Sequence, residues 1–597
     1  LLIGFSLLRP ANKVVYQPRL KYAPEKVARV DGRAFQIITY QPTSIFFPAL
    51  PKGLDAVMFL RFLRFCVQLI GGLSIFGIAL CIFHYYAPRI DGDNQQLNNA
   101  NGTLGLLLLS MSNVDPNSNW FWLHASLSWV FSIYAYFLLY NLWSEYTKFR
   151  KQWFATDDFR SGYFNRTLLL TNLSESMRTS DAVIRFIKSL NLKYPMSSAA
   201  MGREIGELPK LVKEHEKYTL LLEKALGTYL KDPNNLPAKR PTHKEDATLG
   251  LGGEKVDTID FSITRLRVLE EQIYGLRSKG DAYFAPNASA FVSFESIKGA
   301  NSAARKLENS AAIRLRSNTL NPPSVKLSPD FDDIVWQNLG IPIGLRMSRQ
   351  AFAVVSLMGV TVGWTFFITF LGTITSLSTI KYYSQSLANW IESHPAATVI
   401  LQSFIAPLLL VLASSFLLPV LLRVLSRIQG VLSGTGVEKS VMHKFFAFQV
   451  YQIIFLIAGT TIANALLRPS NGTTFQSVAE QASLNFVNKA NFYTSQITLG
   501  YATIGIEIIQ GYPLVMKFLL RRFASPTPRQ EFELNKPPVF EEALQYGSLL
   551  MTLLISLAYS IVNPLILPFA FLHFLLFWLV YKYQLVYVCE YPSKRGG

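Results

Sequence analysis

The sequence has little charge and almost no cysteine. Only 16% of its 597 residues are Asp, Glu, Lys or Arg, where a soluble chain carries about 25%. Half are hydrophobic, the mean hydropathy is +0.23, and the apolar residues fall in long blocks. A single soluble domain is thereby excluded in favour of a polytopic membrane protein. The three cysteines, Cys66, Cys81 and Cys589, show no metal-ligand spacing and cannot make a disulfide framework. Seven scattered histidines offer no ligand cluster, so no metal site is expected. The sequence has no HExxH, no nucleophile elbow, no CxxC pair and no GxGxxG after a strand. An enzyme reading therefore has no residues to stand on, and no cofactor is implied. Acidic residues are also scarce, 39 against 57 Lys and Arg, for a net charge of +18. The basic residues cluster beside apolar blocks, as in KFRKQW (Lys148–Trp153) and KFLLRRF (Lys517–Phe523). That is positive-inside patterning with attraction to anionic membrane lipids, rather than a nucleic-acid surface.

Eight apolar blocks are long enough to span: roughly 58–86, 119–142, 350–376, 397–424, 443–467, 493–520, 546–562 and 565–587. Before them, LLIGFSLL is too short to cross a bilayer and reads as the end of a helix cut short. Asn563, Pro564 and Pro568 break the last apolar stretch into a tight hairpin. Arg61, Arg64, Lys148, Arg423, Arg427, Lys439, Lys444, Arg521 and Arg522 all fall on one side, which is taken as cytosolic. The sequons at Asn101 and Asn471 fall on the other side and are candidate glycosylation sites. Those at Asn165, Asn172 and Asn287 fall on the cytosolic side and are expected to stay unmodified.

Three regions follow: membrane helices over 1–142, a polar region over 143–345, and a second set of membrane helices over 346–597. The polar region is too long for a loop. RTLLLTNL reads as a strand, SDAVIRFIKSL as an amphipathic helix, SAFVSFES as a second strand and IKGANSAARKL as a helix. Two long charged helices lie between the halves. This order suggests a cytosolic α+β ferredoxin-like domain, related to the RNA-recognition motif. Base stacking on that sheet needs aromatics. The stacking positions hold Leu169 and Ser289, and only Phe291 is aromatic, so nucleic acid is not an expected partner.

Polar residues inside the spans recur at helical spacing. Thr361, Thr365, Thr369 and Thr373 share one face of the third span. Gln449, Gln452, Thr460 and Asn464 mark the fifth, and Ser548, Thr552, Ser556 and Ser560 the seventh. In the sixth, Gln496, Gly500, Thr503, Glu507 and Gln510 step by three or four. Helix packing accounts for hydroxyl stripes. A carboxylate at the bilayer centre costs about 2.5–3.5 kcal/mol on insertion scales and needs a partner or water. Gly500, Thr503, Glu507 and their polar neighbours on the other spans are therefore candidate pore-lining residues. Gly511 and Pro513 form a kink site and a candidate gating hinge.

Three stretches, GLDAVMFLRFLRFC (Gly53–Cys66), FDDIVWQNLGIP (Phe331–Pro342) and NPLILPFAFLHFLLFWLVYKYQLVYV (Asn563–Val588), resemble the OSCA family of hyperosmolality- and stretch-gated, calcium-permeable cation channels. GIE at Gly505–Glu507 resembles that family's Gly-Leu-Glu in the pore helix. The resemblance implies an α-helical polytopic membrane protein with an anoctamin-like pore domain and eleven membrane helices, of which the first is cut short here and the last two are expected to be missing. It implies a pore inside each subunit, lined by the third to seventh spans. It also implies permeation of calcium, potassium and sodium, and either a monomer or a homodimer joined through the cytosolic domain. Residence would be the plasma membrane or an internal membrane such as the vacuole. A phospholipid scramblase of anoctamin-like architecture is the alternative, with the polar faces forming a groove for headgroups.

Overall fold

The computed structural model describes residues 2–19, 54–86, 109–111, 114, 118–189, 191–230, 236–244, 255–280, 283–309, 323–374, 381, 384–393, 417–467, 486, 490–523 and 527–590. Asn101 and Asn471 lie outside these residues, as does most of the fourth span.

The described chain begins with helix α1 (Leu2–Ala11) and a further turn at Lys13–Tyr16. Two long helices follow, α2 (Leu54–Tyr86) and α3 (Phe121–Ala155), and both are apolar enough to cross a membrane. Helix α3 keeps Trp122, Trp129, Tyr136 and Tyr140 exposed, as an outer helix against lipid would.

The cytosolic region contains β1 (Thr167–Thr171), α4 (Ser180–Lys188), β2 (Met196–Arg203), α5 (Leu208–Tyr229), a short hairpin of β3 (Thr242–Lys244) and β4 (Lys255–Asp257), α6 (Thr258–Ser278), β5 (Pro286–Phe294), α7 (Ile297–Asn309) and β6 (Ser324–Leu327). Four strands pair antiparallel in the order β2-β5-β1-β6, with Leu169 opposite Phe291 and Leu168 opposite Leu327. Helices α4 and α7 cover one sheet face. There Leu168, Leu170, Val292 and Phe294 pack on Val183, Ile187, Ala303 and Leu307. Thr179 starts α4 by accepting the Ala182 amide through its hydroxyl. Helices α5 and α6 pack together as the long pair between β2 and β5.

Over β1 the other sheet face is covered by the chain itself, while Ser198 and Ala200 of β2 stay exposed. All of Thr167–Thr171 is buried, so β1 needs a cover on both sides. The cover is the segment Phe331–Leu339. Ile334 and Leu339 pack on Leu169, Phe291 and Leu432, and the Trp336 ring lies 6.0 Å from that of Phe291. The one aromatic at a base-stacking position is therefore occupied from within. Of the cytosolic sequons, Asn287 is buried and accepts Ser289 N–H at 2.9 Å, while Asn165 donates to Phe159 O at 2.6 Å.

The membrane part continues with α8 (Ile343–Ile374), α9 (Leu418–Ile428), α10 (Gly434–Leu467), α11 (Ala490–Ile509), α12 (Gly511–Phe523), α13 (Pro528–Asn535), α14 (Glu542–Ala558) and α15 (Ile566–Tyr583), which ends in a π turn, Gln584–Val588. Among the described residues four helices are long and apolar enough to span, and a bent pair makes up to five. The sixth apolar block is that bent pair rather than one straight helix. Leu549, Leu553 and Ile555 of α14 share the main membrane core with α2, α11 and α15. Ala543 of the same helix joins a second core made by Leu357, Trp364, Leu422, Val441 and Phe448 of α8, α9 and α10.

The strap that covers the sheet also grips the α9–α10 turn. Val335 N–H donates to Leu432 O at 2.9 Å, and Asn338 Nδ2 to Val431 O at 2.7 Å. The Asp333 carboxylate accepts Thr435 N–H at 2.9 Å and the Thr435 hydroxyl at 2.6 Å, so it satisfies an orphan amide at the start of α10. Gly430, with φ +78°, makes the turn that α9 needs to hand over to this strap. Asp333→Ala should cost about 0.5–2 kcal/mol of local stability. Faster amide hydrogen exchange confined to residues 430–437 would be the measured sign, and unchanged exchange there would contradict the clamp.

Candidate ion pathway

The sixth apolar block breaks at Gln510, whose φ is +52°. Segments Thr503–Ile509 and Pro513–Leu520 meet at 43°. Proline explains the break. Pro513 has no N–H, so Ile509 O loses its helical donor. The gap is filled from another element: the Tyr16 hydroxyl donates to Ile509 O at 2.6 Å. Glu507 O is also outside the ladder and accepts two side-chain amides, Gln510 Nε2 at 2.9 Å and Gln584 Nε2 at 2.8 Å. Tyr16 and Gln584 are fully buried. Tyr583 holds Tyr16 in turn, donating its hydroxyl to Tyr16 O at 2.7 Å. Lys517 Nζ reaches Val14 O at 3.3 Å. The N-terminal segment, the bend and the π turn of α15 thus form one hydrogen-bonded knot. In lipid, an orphaned backbone group costs several kcal/mol, so a bend must carry its own partners.

Glu507 is partly buried beside this knot. The Tyr581 hydroxyl faces its carboxylate, and Glu541 and Cys589 are its further titratable neighbours. Gly511 has open space where a Cβ would stand. The bend therefore lies at Gln510, one residue before the glycine, with Pro513 as its cause.

The other candidates divide. Thr503 is exposed and donates its hydroxyl to Gly500 O at 2.7 Å. Gly500 faces α15: a Cβ there would lie 2.7 Å from His573 Cε1, so the glycine lets the two helices touch. Ser556 is buried and donates to Thr552 O at 2.6 Å. Thr361 is buried, donates to Leu357 O at 2.8 Å, and its carbonyl accepts Gln452 Nε2 at 3.2 Å and Thr365 Oγ1 at 3.1 Å. The hydroxyls thus return to their own helices, while Gln452 ties α10 to α8. Gln496, Thr369 and Asn464 lie on described helices, but their side chains are outside the described residues. The structure brings Glu507 and Gln510 together with Tyr16, Tyr581 and Gln584, and separately brings Thr361 and Thr365 together with Gln452. Tyr16 and Gln584 had no signal in the sequence, beyond a polar residue ending an apolar block.

Three family models match the chain in succession. One, described as "Late exocytosis, associated with Golgi transport", matches residues 1–142. One described as "Cytosolic domain of 10TM putative phosphate transporter" matches 165–338. The third, "Calcium-dependent channel, 7TM region, putative phosphate", matches 349–597. Among similar proteins is Hyperosmolality-gated Ca2+ permeable channel 1.5 of Arabidopsis thaliana, 25% identical over 636 residues, covering 100% of this chain and 79% of the relative. The chain belongs to the OSCA family. Calcium permeable stress-gated cation channel 1 of Schizosaccharomyces pombe is 24% identical over 516 residues, covering 81% of this chain and 62% of that protein. Vacuolar transmembrane transporter penV of Penicillium rubens is 24% identical over 597 residues, covering 91% of this chain and 69% of its own length. Family membership and the apolar helices make this an integral membrane protein with a cytosolic domain.

The Gly500 contact separates packing from lining. Gly500→Ala should destabilise the protein by about 1–3 kcal/mol through overpacking against His573. Thermal unfolding in detergent would read the loss, and adding His573→Ala should recover most of it. A fully stable Gly500→Ala variant would put this position off the α11–α15 contact.

Proposed function

We propose that the chain is a calcium-permeable, non-selective cation channel gated by membrane tension or osmotic stress, with a pore inside each subunit and no enzymatic activity. The relatives named as hyperosmolality-gated and stress-gated calcium-permeable channels support the class. The observation that carries the mechanism is the broken helix: a membrane carboxylate, Glu507, stands three residues before a 43° bend whose freed carbonyls are held by side chains from other elements. Glu507 would concentrate cations, and neighbouring oxygens such as Gln510 and Thr503 would replace part of their hydration. Residues 1–142, 143–345 and 346–597 are the N-terminal helices, the cytosolic domain and the pore domain. Strand order β2-β5-β1-β6 with two crossing helices supports a ferredoxin-like, RRM-like domain. Residence is the plasma membrane or the vacuole, and membrane lipids are direct partners.

Gating follows from the bend. Gln510, Gly511 and Pro513 form a hinge between two arrangements of the sixth span. The knot of Tyr16 and Gln584 holds the bent, resting one. Tension favours whichever arrangement takes more membrane area, so a small difference in area becomes a population shift.

Stretch-activated recording of the purified protein in liposomes tests both parts. Cation current under tension is expected, and Glu507→Gln should lower cation selectivity and conductance. Unchanged conductance and selectivity in that variant would remove Glu507 from the pathway. Absence of current together with phospholipid flipping without tension would replace the channel by a scramblase.

A further inference from the structure

Two buried histidines meet where α2 ends and α3 begins, at the membrane end remote from the cytosolic domain. His84 is fully buried and His124 is 5% exposed. Their rings lie 5.0 Å apart at 11°. His84 Nδ1 is 2.9 Å from Leu109 O, and His124 Nδ1 is 3.0 Å from Trp120 O. A carbonyl oxygen only accepts, so both Nδ1 atoms carry hydrogen. Both Nε2 atoms are then the basic positions, and they face each other at 2.7 Å.

Two neutral rings in these tautomers would point lone pair at lone pair. One added proton turns the clash into an N–H···N hydrogen bond of ordinary length. A metal ion between the rings does not fit. Tetrahedral zinc with bonds of about 2.0–2.1 Å holds two ligand nitrogens roughly 3.3 Å apart. His124 is the titratable neighbour that acts on His84. Around the pair stand the Leu109 and Trp120 carbonyls, the buried Ser110 and the Phe121 ring, 5.4 Å from His124, while Tyr85 and Tyr86 of α2 are exposed.

We propose that His84 and His124 form a proton-binding site, an imidazole–imidazolium pair holding one shared proton taken from the extracytosolic side. Protonation closes the Nε2–Nε2 bond without moving the carbonyl contacts. Loss of the proton leaves two facing lone pairs and drives the rings apart. The consequence reaches the pore domain through the backbone. Leu109 is held by His84, and Met111 N–H donates to Val562 O at 2.8 Å, in the hairpin between α14 and α15. The next residue, Asn563, bonds Thr494 Oγ1 of α11 at 3.4 Å. Alkaline conditions on that side should therefore loosen the 109–111 segment from the hairpin.

Nitrogen NMR of the full chain in nanodiscs, labelled at its seven histidines and titrated from acid to alkaline pH, tests the site without reference to conduction. A through-bond coupling between two Nε2 atoms is expected, with both rings titrating as one step and the coupling lost on deprotonation. His84→Gln and His124→Gln should each abolish it. The coupling is read in the unsubstituted protein, so misfolding of either variant leaves the test intact. Two rings that titrate independently, or two Nε2 atoms that stay proton-free to acid pH, would overturn the proposal.

Discussion

A membrane-spanning helix cannot leave its carbonyls unpaired, and Pro513 removes the donor that Ile509 O would otherwise have. Much of the arrangement of the C-terminal membrane helices follows from that constraint. The missing donor is supplied by Tyr16, which fixes the N-terminal segment against the bend. Tyr16 is in turn held by Tyr583, and Gln584 beside it fills the second gap at Glu507 O. The π turn at Gln584–Val588 belongs to the same arrangement, since its first residue is the Gln584 that bonds Glu507 O. The bend is thus held by contacts among three elements. That makes it suited to exist in two discrete states rather than to flex continuously.

The cytosolic domain is tied to the α9–α10 turn of the membrane part by the Phe331–Leu339 strap. One side of the strap fills the sheet face, and the other caps α10 through Asp333. A displacement of the α9–α10 turn therefore pulls directly on the sheet. The ion pair of Arg423 with Glu541, 2.8 Å, links the same turn region to the start of α14. Only part of such an exposed pair's attraction survives solvent screening, so it orients more than it stabilises.

Much of the architecture was legible in the sequence because the bilayer imposes a long apolar run on each span. The helices at Leu54–Tyr86, Phe121–Ala155 and Ile343–Ile374 fall where those runs lie. So do β1 and α4, where TLLLT and the spacing of Val183 and Ile187 are strong local signals. Strand β2 was not legible: Met196–Arg203 is an edge strand of small residues, and its pairing comes from β5 rather than from its own composition. The kink was legible at Gly511 and Pro513, yet the backbone turns at Gln510, because the proline acts on the carbonyl four residues before it. Tyr16 and Gln584 were invisible, since a hydrogen bond across 493 residues leaves no local pattern.

The central claim is that side chains from other elements hold the bend in its resting form. Tyr16→Phe keeps the ring and removes only the donor to Ile509 O, a loss of about 1–3 kcal/mol for a buried acceptor left unpaired. Patch recording in liposomes should then show channels opening at lower tension than the unsubstituted protein, with conductance unchanged. An opening tension that stays the same or rises would contradict the account.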